Sequence, residues 1–461
     1  MNFAERFERV FRSLLPAPFT IAVFLTLLTM ALALVFTRAS GEQAHFLEIL
    51  GYWQEGLWSA PLLVFAVQMM LILVLGHVLA LSPAISRLIN GLTDRMDSPA
   101  KAAWIVTFTT LLVAFFNWGL GLIFGAIIAR KTGERFAQKG QALNYPLIGA
   151  AGYSGLMVWH GGISGSAPIK VVEEGHLASL MQGILPANEL ANLPVRIPFD
   201  QTVFSGMNIL ATVLLLGLLP PLMAWLMRKS KSEPPRLSIK SVKTDIRTDT
   251  LKGAEKLDHS RIFCLLFAFL ILAYGLYIPA MQDSFSFNFL TPNYINLILL
   301  GLALLFHGSF ARFLAAVDEA IGGASGILIQ FPLYFGIMGI MKYSGLVAMI
   351  SQFFISVSTP LTFPIFTFIS AGLVNIFVPS GGGQWSIQGP ILIQAAEQLG
   401  VSLPKSIMAL AYGDQLTNML QPFWALPLLG ITGLKARDII PYTLILLMAG
   451  LAIFVSILLL Y

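Results

Sequence analysis

Four polar, glycine-rich segments interrupt the apolar sequence, and they occur as two pairs with similar spacing. The first pair is centred on Asn117 and Ser164, and the second on Asn375 and Asn418. The separations within the pairs are 47 and 43 residues. Exposed peptide groups are costly in hydrocarbon, so irregular backbone inside apolar spans is expected only where it is buried in protein or lines a cavity. Paired interruptions of this kind are typical of secondary transporters with a binding site near the middle of the membrane.

The rest of the sequence is largely apolar, which predicts a helical protein that crosses a membrane several times. Apolar residues make up 56% of the 461 positions and charged residues only 11%, a balance that soluble chains of this length do not show. Uninterrupted runs long enough to span a bilayer lie at 16–37, 60–81, 203–227, 261–281, 293–311, 321–341 and 438–460. The single cysteine, Cys264, excludes an internal disulfide.

The distribution of Lys and Arg predicts which loops face the cytoplasm. With a cytoplasmic N-terminus, 23 of the 28 basic residues fall in inner segments. These segments are residues 1–15, 82–103, 130–145, 228–261, 312–320 and 435–438. The segment 228–261 holds ten basic and five acidic residues but no Phe, Tyr or Trp, which favours a solvated linker over a nucleic-acid contact. We expect a bacterial inner-membrane protein with a periplasmic C-terminus.

Two segments fit neither a full span nor a loop. Residues 104–129 and 360–398 consist of apolar pieces broken by Asn, Gly and Pro, and each piece is too short to cross the bilayer. We predict that each segment folds as a re-entrant helical hairpin whose tip reaches the middle of the membrane, the first from the cytoplasm and the second from outside. Each is followed by a discontinuous helix, at 146–168 and at 405–431.

These elements divide the chain into two repeats of opposite orientation. We predict a first repeat at 1–227, a basic cytoplasmic linker at 228–260, a connecting transmembrane helix with an outer loop at 261–292, and a second repeat at 293–461. The predicted fold class is an all-α polytopic membrane protein with inverted-topology repeats, two re-entrant hairpins and two discontinuous helices.

Hairpin tips and discontinuous helices that meet in the membrane would bring free helix ends to one small volume. There, N-termini attract an anion and C-termini attract a cation, while hydroxyl groups and glycine N–H groups can donate to a carboxylate. The predicted substrate-binding residues are Asn117, Gly119, His160, Gly162, Ser164, Ser166, Ser380, Gly381, Gly382, Thr417 and Asn418. The predicted ion-coupling residues are Asn117, Asn375, Asp414, Asn418 and His160.

The identity of the coupling ion stays open at this point. Amide oxygens suit a hard cation, so Na⁺ would bind near Asn117 and Asn375, whereas His160 or Asp414 would carry a proton. Purely structural roles also stay open: His160 could bond a backbone carbonyl, and Asp414 could cap a helix break or lie as an acid at the membrane interface. The tryptophans beside the breaks either wall a pocket for a short acyl chain or pack between helices. They are Trp118, Trp159, Trp385 and Trp424. No cofactor other than the coupling ion is expected.

Three stretches carry a family resemblance: residues 8–19, residues 159–167, and residues 374–390 with the sequence Val-Asn-Ile-Phe-Val-Pro-Ser-Gly-Gly-Gly-Gln-Trp-Ser-Ile-Gln-Gly-Pro. Here the chain resembles the short-chain fatty acid transporter family of the AtoE type, essentially from end to end. The resemblance implies a scaffold domain, a mobile transport domain that carries both hairpins, a homodimer and elevator-like movement. It also implies uptake of short monocarboxylates such as butyrate or acetoacetate.

The resemblance also places the chain in a wider superfamily of ion transporters. In the dicarboxylate carriers of that superfamily, Ser-Asn-Thr motifs at the hairpin tips bind carboxylate and Na⁺. The matching tripeptides here begin at Asn117 and Ser380 and read Asn-Trp-Gly and Ser-Gly-Gly. The tripeptides thus differ from the superfamily's motif at both tips.

The favoured function is secondary active transport that imports short-chain monocarboxylates by alternating access, coupled to Na⁺ or H⁺. A passive channel for small anions is one alternative, and saturable exchange would separate a carrier from it. A membrane-embedded hydrolase or acyltransferase is another. An aspartyl mechanism needs two carboxylates that share a proton, and Asp414 alone lies at membrane depth in this threading. Enzyme activity is therefore not expected.

Overall fold

The structure is a computed structural model that describes residues 16–39, 44–182, 185, 187–235, 237, 253–281, 289 and 291–461. Within these residues the chain is helical apart from turns, loops and two isolated β-bridges. The predicted inner segment 1–15 and residues 236 and 238–252 of the predicted basic linker lie outside the described residues.

The helices before the linker include both short and membrane-length elements. They are α1 (Pro18–Phe36), α2 (His45–Leu57), α3 (Ala60–Leu81), α4 (Pro83–Thr93), α5 (Pro99–Phe116), α6 (Trp118–Gln138), α7 (Tyr145–Tyr153), α8 (Ser166–Val171), α9 (His176–Met181), α10 (Ala187–Leu190) and α11 (Gly206–Lys229).

The helices after the linker follow a similar order. They are α12 (Glu255–Asp258), α13 (Arg261–Ala280), α14 (Pro292–His307), α15 (Phe310–Ala320), α16 (Ser325–Tyr343), α17 (Leu346–Ser356), α18 (Phe363–Phe377), α19 (Gly381–Leu399), α20 (Leu403–Thr417), α21 (Pro422–Thr432) and α22 (Ala436–Leu460). The same order of helices occurs twice, beginning once with the long helix α3 and once with the long helix α16. Each of these is followed by an 11-residue helix, a pair of helices, an interrupted helix and a final long helix.

Seven helical stretches among the described residues are long and apolar enough to cross a bilayer. They are Pro18–Phe36, Ala60–Leu81, Pro99–Phe116, Gly206–Lys229, Arg261–Ala280, Phe310–Tyr343 and Ala436–Leu460. Except for Pro99–Phe116, each overlaps a run that the sequence predicts as a span. The prediction of an all-α protein with several membrane-length helices is therefore confirmed.

The first predicted hairpin is a pair of antiparallel helices, α5 and α6, that turn at Asn117. Close contacts pair Ala114 with Gly121 and Thr110 with Gly125, so residue numbers fall along one helix as they rise along the other. A Cβ on Gly121 would overlap the backbone and side chain of Ala114. Glycine at this position lets the two arms approach closely.

The predicted length of this hairpin was wrong. Its arms have 18 and 21 residues, so the hairpin spans more than residues 104–129, and α5 is long enough to cross a bilayer. The added residues, 99–103 and 130–138, contain charged side chains, and the sequence therefore places them in inner segments. In the structure some of these charges are paired along the helix, because Arg130 and Lys131 lie 2.7 Å and 3.0 Å from Glu134.

The second predicted hairpin consists of α18 and α19, with a break at residues 378–380. The side chain of Gln384 donates to the carbonyl of Ala371, and the side chain of Gln388 donates to Ser370, which again gives an antiparallel pair. The two helices and the break together occupy residues 363–399. The helix α20, which follows this hairpin, packs parallel to α18, with Gly413 against Phe368 and Gly372 against Thr417.

Both predicted discontinuous helices contain a break, but the two breaks differ in form. The first runs from α7 through a 3₁₀ turn at Ser154–Met157 into an irregular loop, and helix α8 after the loop has only six residues. The second passes from α20 through a 3₁₀ turn at Asn418–Leu420 directly into α21. The first interruption is thus longer than the second, and it extends from Ser154 to Gly165.

Two helices lie where the sequence predicts loops. Helix α2 occupies most of the predicted outer segment 38–59, and α15 occupies the predicted inner segment 312–320. Helix α2 packs against α16, where Gly56 and Gly339 lie backbone to backbone. Its 13 residues are too few to span a bilayer, so it does not produce the long apolar run that identifies spans.

Candidate functional site

The turn of the first hairpin contacts the break in the first discontinuous helix. Asn117 has an extended backbone (φ −149°) and caps α6, because its side-chain oxygen accepts from the N–H of Leu120 at 3.0 Å. The hydroxyl of Ser164 accepts from the N–H of Trp118 at 2.9 Å, and Ile163 donates to the carbonyl of Phe115. The sequence-predicted residues Asn117 and Ser164 therefore lie at one junction.

Two other predicted residues lie at this junction. Gly162 is buried against the carbonyl of Phe115, where a Cβ would overlap that backbone. Gly119 lies in the first turn of α6, next to the side-chain oxygen of Asn117. The first turn of a helix has N–H groups that lack helical partners, and it is the positive end of the helix dipole.

A second junction joins α18 to the second discontinuous helix around Asn375. The buried side-chain nitrogen of Asn375 lies 2.7 Å from the carbonyl oxygen of Asp414, 3.0 Å from Thr417 Oγ1 and 3.0 Å from Asn418 Oδ1. Gln421 donates to the carbonyl of Asn375. Asn375 lies within the last turn of α18, whereas Ser380 caps α19 by accepting from Gly383. Ser380 is therefore the counterpart of Asn117 in capping, as the matching tripeptides imply.

The two junctions meet at a buried pair of ionisable residues. Nδ1 of His160 lies 2.9 Å from Oδ2 of Asp414, and both side chains are almost fully buried. The two atoms are close but are not aligned as a hydrogen bond, and neither carboxyl oxygen of Asp414 has a hydrogen-bond partner among the described residues. The N–H of Ala167 donates to Nε2 of His160 at 3.1 Å. Among the described residues, the ring of His160 bonds no backbone carbonyl, and the carboxylate of Asp414 caps no helix break.

The tip of the second hairpin lies on the same group. A Cβ on Gly381 would come within about 3 Å of the Trp159 ring, the Ser166 hydroxyl and the His160 ring. Gly382, the next residue, is exposed and has no neighbour within 4 Å of an added Cβ. The first turn of α19 thus faces Ser166 and His160, both predicted to bind substrate.

Several polar residues that stabilise this arrangement were not among the site residues predicted from the sequence. Oε1 of Gln415 accepts from the N–H groups of His160 and Gly161, each at 3.0 Å, and this contact fastens the first break to α20. Asn208 donates to the carbonyl of Gly161 and accepts from the hydroxyl of Tyr412. Gln415 adjoins Asp414 in a polar segment, so its position was the available signal. Tyr412 lies two residues before Asp414 and shares this signal, whereas Asn208 lies in the otherwise apolar helix α11 and carries none.

The available oxygen atoms fit a hard cation better than a transition metal. No group of three or more His, Cys, Asp or Glu side chains that could hold a metal ion occurs in the part of the chain that the structure describes. Buried oxygens without a hydrogen-bond partner there include Oδ1 of Asn375 and both carboxyl oxygens of Asp414. Carboxylate and amide oxygens are donors suited to hard cations. The donor set around Asn375 and Asp414 is thus chemically compatible with Na⁺.

The fold and site define a polytopic helical membrane protein in which polar helix breaks from distant parts of the sequence meet. The chain belongs to the family described as short chain fatty acid transporter, whose sequence profile matches residues 2–461. A relative in Escherichia coli (strain K12), named for short-chain fatty acid transport, is 38% identical over 447 residues, which cover 96% of this chain and 95% of the relative. A second, in Haemophilus influenzae strain Rd, is 38% identical over 466 residues and 98% of each chain.

Two solved structures are also similar over nearly the whole chain. The YdaH transporter of Alcanivorax borkumensis aligns with a TM-score of 0.41 and 16% identity, covering 96% of this chain and 98% of that one. MtrF of Neisseria gonorrhoeae, described with a class of antimetabolite efflux pumps, aligns with a TM-score of 0.42 and 15% identity over 97% of each chain.

Proposed function

We propose that the protein imports short-chain monocarboxylates such as butyrate by alternating access, coupled to the entry of Na⁺ or H⁺. The observation that carries this proposal is the buried pair of His160 and Asp414, which joins the break of one discontinuous helix to the other. Membership of the short-chain fatty acid transporter family supports the class of substrate.

The neutral donors around the pair suit a single carboxylate group. The first turns of α6 and α19 face the site with their positive dipole ends, and Ser166 and His160 lie beside the second of these turns. The residues that form these junctions include no Arg or Lys, which would be expected to clamp a second carboxylate. Helix ends and hydroxyl groups can hold one negative charge, so a monocarboxylate is the substrate that matches this site most simply.

Asp414 is the residue that we propose to couple ion movement to transport. A buried carboxylate without hydrogen bonds is strongly unfavourable unless a proton or a cation neutralises it. Nε2 of His160 accepts a hydrogen bond from Ala167 and therefore has no proton, so the ring proton of neutral His160 is on Nδ1, which lies 2.9 Å from Oδ2 of Asp414 without the alignment of a hydrogen bond. A proton on Asp414, or Na⁺ beside it, would neutralise this site.

We further propose that both hairpins are re-entrant, that the two repeats have inverted topology, and that the hairpins move with the discontinuous helices between two faces of the membrane. The recurring order of elements after α3 and α16 supports the repeats. The excess of Lys and Arg in the inner segments supports a cytoplasmic N-terminus in a bacterial inner membrane. The family resemblance suggests a homodimer.

Uptake of labelled butyrate into proteoliposomes tests the proposal, with Na⁺ and pH gradients imposed separately and protein-free vesicles measuring diffusion. We expect one gradient to drive accumulation. Asp414→Asn should abolish this accumulation while one-for-one exchange of butyrate continues, and Asp200→Asn, at an exposed position, should behave as wild type. Equal accumulation in Asp414→Asn and the wild type would contradict the coupling role. An absence of saturable butyrate uptake in the wild type would contradict the proposed substrate.

A further inference from the structure

Three tryptophans form a row that runs from the buried pair toward helices outside the hairpins. The ring of Trp159 stacks on His160, with ring centres 4.5 Å apart. Trp118 lies next in the row, 6.0 Å from Trp159 and 5.2 Å from Trp424. These three residues come from the first break, the first hairpin and α21, so the row includes three of the four elements that meet at the site and leaves out the second hairpin.

Phe65 of α3 lies against the far end of this row. Its ring centre is 6.1 Å from that of Trp424, at an interplanar angle of 80°, and 6.4 Å from that of Trp118. Phe65 also lies 6.4 Å from Phe331 of α16, measured between ring centres. Helices α3 and α16 belong to neither hairpin and to neither discontinuous helix, so the apolar surface beside the polar site is shared between two sets of helices.

Two indole N–H groups in this row lack acceptors. Nε1 of Trp159 and Nε1 of Trp424 are buried and have no hydrogen-bond partner within the described parts of the chain. Buried Trp N–H groups usually find a partner, because leaving the donor unpaired costs free energy. Trp159 and Trp424 are 3% and 4% exposed, so neither donor is freely open to solvent.

We propose that Trp118, Trp159 and Trp424 bind the alkyl chain of the transported carboxylate, that Phe65 limits the chain length, and that the Trp159 indole N–H donates to the carboxylate. This proposal rests on the proposed function, and it assigns the orientation of the substrate in the site. The carboxylate lies at the His160 end, next to the tip of the second hairpin, and the alkyl chain points along the row toward Phe65. An amphiphilic substrate matches a surface that is polar at one end and aromatic at the other.

Competition for butyrate exchange by carboxylates of increasing chain length tests the alkyl pocket. Each methylene that enters an apolar pocket should improve the inhibition constant about fourfold, until the pocket is full. In Phe65→Ala the improvement should continue to longer acids than in the wild type, and Phe65→Leu should show a smaller shift. Val67→Ala is the control, because Val67 lies on the same helix and is 49% exposed. Its chain-length profile should match the wild type.

Trp159→Phe tests the proposed donor, since it removes the N–H and keeps an aromatic ring. We expect the inhibition constants of all chain lengths to weaken by a common factor of about tenfold or more, with the order of preference unchanged. An unchanged chain-length profile in both Phe65 variants would overturn the alkyl pocket, and wild-type affinities in Trp159→Phe would overturn the donor. Wild-type protein that exchanges no carboxylate would overturn the proposed function as well.

Discussion

At the scale of single residues, the site depends on a few side chains that satisfy backbone groups left free by helix breaks. Gln415 is the clearest case, because one amide oxygen accepts from two consecutive N–H groups, those of His160 and Gly161. A break in a membrane helix is tolerated only when such groups find partners inside the protein. Gln415 therefore fixes the backbone of His160 and, through it, the contact with Asp414.

Gln415→Ala should destabilise the protein and impair transport together. The N–H groups of His160 and Gly161 would lose their acceptor in a buried environment, which costs about 1–3 kcal/mol. The melting temperature in detergent should fall relative to Gln138→Ala, at an exposed position. A melting temperature equal to that of the control would show that these N–H groups do not depend on Gln415.

At the scale of elements, close contacts between glycines bring the hairpins and the discontinuous helices together. Gly125 of α6 and Gly152 of α7 lie so near that a Cβ on either would overlap the backbone of the other. A Cβ on Gly413 of α20 would likewise overlap the carbonyl oxygen of Phe368 in α18. These contacts set the distance between each hairpin and the helix that carries half of the site.

Gly152→Ala should therefore separate α7 from α6 and reduce stability by about 1–3 kcal/mol, the usual cost of overpacking. The matched control is Gly91→Ala in α4, where an added Cβ has no neighbour within 4 Å and a helical alanine is favoured. Thermal unfolding should place Gly152→Ala below the wild type and Gly91→Ala at or above it. The reverse order would contradict this account of the helix contact.

A second contact at this scale links the second hairpin to the segment between α8 and α11. The indole N–H of Trp385 donates to Nε2 of His176 at 3.0 Å, and the two rings are stacked. Burial lowers the pKa of His176, and Lys170 lowers it further while Glu173 opposes the change. Lys170 and Glu173 are themselves paired at 2.9 Å. The neutral ring that accepts this hydrogen bond is thus the stable form at neutral pH.

Acidification should weaken the contact between Trp385 and His176. A histidine whose pKa is lowered by folding stabilises the protein above its ordinary pKa of about 6.5, and this stabilisation is lost as the pH falls from there through the lowered pKa. The indole resonance of Trp385, assigned with Trp385→Phe, should shift over this range in ¹⁵N spectra. In His176→Gln, whose amide oxygen still accepts, the resonance should stay constant. A shift of equal size in this variant would exclude His176 as its cause.

At the scale of the whole molecule, the spans and the positions of the breaks were predictable because hydrocarbon tolerates so few polar or irregular segments. The length of the first hairpin was not, since its second arm continues into a charged stretch that looks like a loop, where Arg130 pairs with Glu134 along the helix. Nor were the partners of Asn208 and Gln415 predictable, because contacts across about 200 residues or more leave no local pattern. The sequence identified which residues lie at breaks, and folding decides which of them touch.

The central claim is that breaks from both halves of the chain form one carboxylate site. Exchange of labelled for unlabelled butyrate in proteoliposomes tests this claim most directly, because exchange needs an intact site but no ion gradient. Ser164→Ala removes the acceptor of the Trp118 N–H at the first hairpin, and Asn375→Ala removes the contacts with Asp414, Thr417 and Asn418. We predict that each substitution alone abolishes exchange in protein that remains folded. Wild-type exchange in either folded variant would contradict a site built from both halves.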